Sequence, residues 1–413
     1  MTNRLSLLAI ARVDPPCYKP LHAAVATPVM KATVVSHAVR TSVIMGCLVP
    51  ALLFPAPLRG LSQIHRFEFR QAAPGYHYLF PRDHASHDDF RTEWWYYTGH
   101  LRSDDGREFG YQLTFFRQGI DEEAIRTNPS RWAVKNVYLA HAAVSHHGKE
   151  RFRYSEKASR DGLGKAGAES TRLHVWIDRW SVEAISADHL QHRLRVSSEE
   201  ASFDLVVVSE KLPVIHGSEG ISRKGDEAGQ ASHYYSLTRL RTTGMLVMDH
   251  EPIQVRGVSW MDHEFGSGGL GRDQVGWDWF SIQLDDGREV MWYRLRRGDG
   301  TADPVSSGTA VATDGTVRHL RISDVVVDVL DEWTSPVSNT RYPHRWRVAV
   351  PSMDLTLVLI PKMHGQELVT ERSTRVTYWE GAVRVSGDAG GAPIAGQGYV
   401  ELTGYARPFS PAP

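Results

Sequence analysis

The chain is nearly free of cysteine: Cys17 and Cys47 are the only two in 413 residues, and both precede the region with strand patterning. A disulfide scaffold, a zinc ribbon and a cysteine nucleophile are therefore not expected. Charge imbalance is also missing, since 47 Lys+Arg face 48 Asp+Glu for a formal net charge of -1. A general nucleic-acid binder carries a basic excess, so nucleic acid is excluded as the expected partner. The uncharged stretch 41–58 is interrupted by Pro50, Pro55 and Pro57. Proline breaks a helix, which makes this a poor membrane span. Sustained helical periodicity is absent as well, and residues 119–134 are the best place for a short helix or loop insertion.

What is present begins with an export pattern. Lys31, His37 and Arg40 precede the uncharged stretch and would form a positive n-region if translation starts at Met30. Residues 1–62 read as a signal segment, with an uncleaved anchor or a lipidated Cys47 as the alternatives. The expected location is periplasmic or secreted, with membrane contact only through this segment.

The rest reads as all-β and duplicated. Short alternating segments recur between turn signals, as in sandwiches and barrels. Asp105-Gly106 and Asp286-Gly287 between aromatic-rich runs predict hairpins, because glycine tolerates positive φ. Four blocks recur in the same order: 94–113 with 277–295, 140–156 with 307–323, 194–212 with 346–363, and 233–266 with 377–405. A tandem pair of antiparallel β-barrel or sandwich domains, over 75–268 and 272–408, is the economical reading.

Candidate chemistry gathers at the end of the first copy. Alternation puts Trp260, Asp262 and Glu264 on one strand face, and His233 with Tyr235 on one face of an upstream strand. If these faces point into one barrel, His233, Tyr235, Trp260 and Asp262 converge in an apolar cavity. Burial would keep Asp262 protonated as a general acid, and the aromatic faces would stabilise a cation. The competing reading has His233 and Asp262 pairing structurally while the aromatics pack the core. Trp379, Tyr399 and Glu401 repeat the pattern in the second copy, but Thr377 replaces the histidine, so the first copy is the better site.

Weaker signals surround it. His84, His87, Asp88 and Asp89 suit a divalent metal but read better as a solvated loop. His146-His147 reads as an exposed hairpin tip. Ser259 and Ser281 lack the Gly-x-Ser-x-Gly elbow of a hydrolase, and GSGGLG at 266–271 reads as a linker.

The blocks EWWYYTGHL (93–101), GVSWMDHEFGS (257–267), GWDWFSIQL (276–284) and YWEGAV…GQGYVELTGY resemble the bacterial AttH-like branch of the hydroxyneurosporene synthase (carotenoid 1,2-hydratase) family over about residues 75–408. The resemblance implies two lipocalin-like barrels, catalysis without metal or organic cofactor, and an extended isoprenoid, carotenoid or lipid-like ligand. It implies Asp262 as proton donor and His233 as orienter or base. Tyr235 and Trp260 would flank the cation, with the two aromatics exchanged relative to the family's His-x-Trp and Tyr-x-Asp pairs. Glu264, Trp95, Tyr97 and Trp279 are the expected substrate-binding residues. The branch is also associated with ABC-type transporter systems, so an envelope lipid carrier and a secreted hydrolase stand as alternatives to a hydratase.

Overall fold

The computed structural model describes residues 66–409; residues 1–62, read above as a signal segment, and both cysteines lie outside the described residues. The first sheet opens with β1 (Thr92–Ser103), β2 (Glu108–Gly119), β3 (Asn136–His146) and β4 (Arg151–Arg160). It continues with β5 (Ala166–Ala168), β6 (His174–Ile177), β7 (Trp180–Ala184), β8 (Gln191–Val196) and β9 (Ala201–Ser209). Two short strands, β10 (Val214–Ile215) and β11 (Ser222–Arg223), precede the long β12 (Ala231–Met248) and β13 (Glu251–Gly266).

The second sheet holds β14 (Gln274–Leu284), β15 (Glu289–Arg297), β16 (Ser307–Val311), β17 (Val317–Arg321) and β18 (Val326–Thr334). It is completed by β19 (Arg341–Val350), β20 (Leu355–Pro361), β21 (Glu367–Val369), β22 (Thr377–Ala389) and β23 (Ala392–Thr403).

Both sheets follow one plan. The first runs β4-β3-β2-β1-β13-β12-β9-β8-β7-β6-β5, and the second runs β17-β16-β15-β14-β23-β22-β20-β19-β18. The chain-terminal hairpin of each copy thus inserts beside its first strand, which closes the sheet toward a barrel and removes edges. In the first copy β4 comes round beside β6 and the barrel is nearly complete. The second copy has no counterparts of β5 and β6, and it remains a half-barrel between the free edges of β17 and β18. The architecture is a lipocalin-like tandem, and its hairpins turn at Gly106 (φ 89) and Gly287 (φ 88). The 119–134 segment holds a single helical turn, Glu123–Arg126.

Three apolar layers result. Tyr97, Tyr111, Trp180, Leu205 and Tyr235 fill the first barrel. Trp292, Trp346, Leu357 and Trp379 fill the second. Between them lies a third cluster, with Tyr96, Tyr234 and Trp260 from the first sheet against Trp279 and Tyr399 from the second. Polar contacts lock the layers: Gln283 donates to the backbone carbonyls of Thr238 and Ser259 at 2.7 and 2.9 Å. Buried Glu289 receives Lys211 at 2.7 Å and Arg239 at 2.6 Å.

Candidate functional site

Strand pairing decides which side chains meet. In the β12–β13 ladder, Tyr234 stands opposite Glu264, Tyr235 opposite His263 and Ser236 opposite Asp262. Residues directly opposite in an antiparallel ladder project to the same face. Tyr234, Ser236, Asp262 and Glu264 therefore share one face, joined by Tyr96 of β1, which pairs with Asp262. His233, Tyr235, His263 and Phe265 take the other.

The expected convergence of His233, Tyr235, Trp260 and Asp262 is thus corrected. Only Trp260 and Asp262 meet. Tyr235 is buried in the first barrel between His84 at 2.7 Å and His263 at 2.9 Å. His233 stacks on Tyr76 with ring centroids 4.2 Å apart. The face bearing Asp262 does not point into the barrel either; it forms the outer wall that the second barrel covers. The same parity corrects two substrate-binding residues. Trp95 stacks on His263 at 5.1 Å and Tyr97 hydrogen-bonds His192 at 2.9 Å, both inside the barrel. Their neighbours Trp94 and Tyr96 line the inter-barrel cavity instead, and Glu264 and Trp279 line it too.

That cavity measures about 280 Å³. Trp94, Tyr96, Phe116, Trp277, Trp279 and Tyr293 give it aromatic walls. Asp262 is held on its first-barrel side by Tyr234, which donates to Oδ2 at 2.6 Å, and by Trp260, whose Nε1 donates to Oδ1 at 2.6 Å. Ser236 also donates to Oδ1. Burial raises the Asp262 carboxyl to about 7, against the pull of these three donors. A carboxyl poised there delivers a proton at neutral pH, and the two hydroxyls can donate or accept to suit either state.

Behind Ser236 stands a residue that parity and spacing do not reveal. His216 Nε2 lies 2.6 Å from Ser236 Oγ, and its Nδ1 lies 2.8 Å from Thr309 Oγ1. Burial lowers its pKa to about 3, so the ring is neutral. With Ser236 donating to Asp262, Nε2 must carry the proton and Nδ1 accept from Thr309.

The second barrel contributes acids of its own. Tyr96 donates to Glu380 Oε1 at 2.5 Å. Glu380 stands directly opposite Glu401 in the β22–β23 ladder. Burial brings Glu401 to about 7. Burial and then the Glu401 charge push Glu380 well above the usual carboxylate range. Adjacent like charges in a dry site cannot both ionise. Lys224 reaches Glu264 at 2.8 Å.

The His84–Asp89 loop is not the solvated loop expected from its composition. Asp83, His84 and His87 are buried, and only Asp88 and Asp89 reach solvent. His87 Nδ1 and His263 Nε2 each lie 2.8 Å from Glu93 Oε1, and His87 Nε2 lies 3.2 Å from Asp83. His87, Glu93 and His263 are close enough to enclose a cation. Glu93 is already engaged by Ser86, by the His87 amide and by Arg117 at 3.1 Å, so an ion there would have to displace bound protons. His146 is likewise buried against Phe109 rather than exposed. Ser259 bonds Tyr111 and Thr242 and no histidine, which leaves it unactivated as a nucleophile.

Comparison with known proteins places this geometry. An AttH from Nitrosomonas europaea superposes with a TM-score of 0.74 at 33% identity, covering 82% of this chain and all of that one. Kievitone hydratase from Nectria haematococca shares the fold, with a TM-score of 0.62 at 16% identity over 83% of this chain and 97% of that one. The dehydratase asqC of Emericella nidulans is 26% identical over 230 residues, which is 53% of this chain and 63% of that protein's length. The AttH-like family model matches residues 71–405, and the chain belongs to that family.

Proposed function

We propose that the inter-barrel cavity binds an extended apolar ligand, isoprenoid, carotenoid or lipid-like, and that the chain is a hydro-lyase acting on it without metal or organic cofactor. The observation that carries this reading is Asp262: a buried carboxyl near 7, fixed by three donors, in a cavity walled by aromatic rings. In hydration, protonated Asp262 gives its proton to one alkene carbon. The π pair forms the new C–H bond and leaves a cation on the other carbon, facing aromatic rings. Water adds to that carbon and returns a proton to the Asp262 carboxylate. Dehydration is the reverse, with Asp262 protonating the departing hydroxyl. The dehydratase and hydratase named above support this class of reaction, and a carotenoid is one substrate that fits the ligand class.

The same aromatic lining also supports a second reading, an envelope carrier that holds a lipid-like ligand and passes it to an ABC-type exporter after export through residues 1–62. One experiment separates the two. Protein purified from its own cell envelope is extracted, the ligand identified by native mass spectrometry, and the ligand incubated with wild-type and Asp262→Asn protein. A mass change of one water, absent in the variant, supports the hydro-lyase. A bound ligand that never changes supports the carrier, and turnover surviving in Asp262→Asn refutes Asp262 as the acid.

A further inference from the structure

The cavity has one resident ammonium. Lys224 Nζ lies 2.8 Å from Glu264, with the Tyr293 ring centroid at 4.6 Å and that of Tyr234 at 5.5 Å. Carboxylate and aromatic faces together hold this cation out of bulk water. Burial would pull its pKa down, but Glu264 and the Tyr293 phenol outweigh that and keep it charged.

The opposite wall offers the same chemistry with no cation to match it. Glu380 and Glu401 are ladder partners, and Tyr96, Trp277 and Trp279 stand around them. Glu380 is 2% exposed, and its Oε2 is buried with no hydrogen-bond partner. The titratable groups facing the pair are Tyr96 from β1, Tyr378 on β22, Tyr399 on β23, and Asp262 with Glu264 from β13. Three basic side chains line the cavity. Lys224 is committed to Glu264, Arg117 is committed to Glu93 at 3.1 Å, and His141 is kept neutral by burial, at about 3. Among the described residues that line the cavity, Asp262, Glu380 and Glu401 thus lack a counter-cation.

We propose that the Glu380–Glu401 wall is a recognition site for an organic cation, an ammonium-type centre carried on an apolar body. The cation would face Glu380 Oε2, favour the ionised form of the two adjacent carboxyls, and lie against the Trp277 and Trp279 faces. This deepens the hydro-lyase reading and rests on it for the identity of the cavity: a carbocation formed beside Asp262 carries the same charge, so an ammonium of the same shape is its stable mimic.

The test uses the neutral apolar dye N-phenyl-1-naphthylamine to report cavity occupancy and hexyltrimethylammonium as competitor, on the full chain. Hexyltrimethylammonium is expected to displace the dye from wild-type protein. Glu380→Gln and Glu401→Gln should each weaken that displacement about ten-fold while changing dye affinity by less than about two-fold. Wild-type affinity for the ammonium should rise between about pH 6 and pH 8, as Glu401, at about 7, ionises. No displacement, displacement unchanged in both variants, or a pH-independent affinity overturns the proposal. If neither variant holds dye, the same pH series on Asp262→Asn decides: a rise in ammonium affinity that persists there supports the glutamate wall, and a rise lost there overturns the proposal. Wild-type protein that turns over its substrate but does not bind the ammonium sinks only this proposal, whereas ammonium binding by a protein that never adds or removes water sinks only the hydro-lyase.

Discussion

Tyr234 and Tyr235 are chain neighbours that serve opposite sides of one sheet. Tyr234 donates to Asp262 at 2.6 Å in the inter-barrel cavity, and Tyr235 lies 2.9 Å from His263 inside the first barrel. Their phenylalanine variants should therefore separate cleanly. Tyr234→Phe removes a donor that favours the Asp262 carboxylate, so its midpoint should climb above about 7, by about one unit. Tyr235→Phe should leave that midpoint alone and cost about 1–3 kcal/mol of stability, because His84 and His263 lose a buried partner. Carboxyl NMR of aspartate-labelled protein and urea unfolding read the two effects; equal midpoints in both variants would contradict the parity argument.

Asp262 and Glu401 should make the protein less stable as pH rises. Both stand at about 7 in the fold, above ordinary values of 3.8 and 4.5. Between about pH 4 and pH 7 the folded chain keeps protons that the unfolded chain has released, so raising pH favours unfolding through this window. Asp262→Asn/Glu401→Gln removes the effect, and its melting temperature should gain on wild type from about pH 4 to pH 8. Buried histidines push the other way in both proteins and cancel in the difference. Parallel melting curves would show that these carboxyls are ionised in the fold.

Arg117 should be a stability residue out of proportion to its type. It is fully buried and contacts Glu93 at 3.1 Å and the Phe90 carbonyl at 2.9 Å. Arg117→Met strands the Glu93 carboxylate and is expected to cost about 3–5 kcal/mol in urea unfolding. Adding Glu93→Gln should recover part of that loss, since the two act as one network.

Chelation should leave the barrel unmoved. The His87–Glu93–His263 cluster is filled by its own hydrogen bonds and by Arg117, so overnight dialysis against EDTA should not shift the melting temperature. A fall of several degrees would mean that an ion replaces those protons.

Much of the molecule was legible in the residues. The Asp-Gly turns, period-two alternation and four repeated blocks predicted the tandem barrel. Asp262 stood out because a carboxyl beside Trp260 in an apolar strand needs a reason. The companions of Asp262 were less legible. Pairing His233 with Tyr235 rested on alternation within one strand, whereas the partner across a ladder depends on register. Ser236 opposite Asp262 brings Tyr234 to the site and sends His233 and Tyr235 away. His84 and His87 looked like surface residues because loop composition is polar, yet their loop is buried against Tyr235 and Glu93.

By itself the sequence determined the strands, their turns and the two faces of each, because side-chain alternation and glycine φ are local properties. Only the tertiary structure decided which face was the site. A strand cannot record what will cover it, and here the second barrel turned the outer wall of the first into an aromatic, acid-lined cavity.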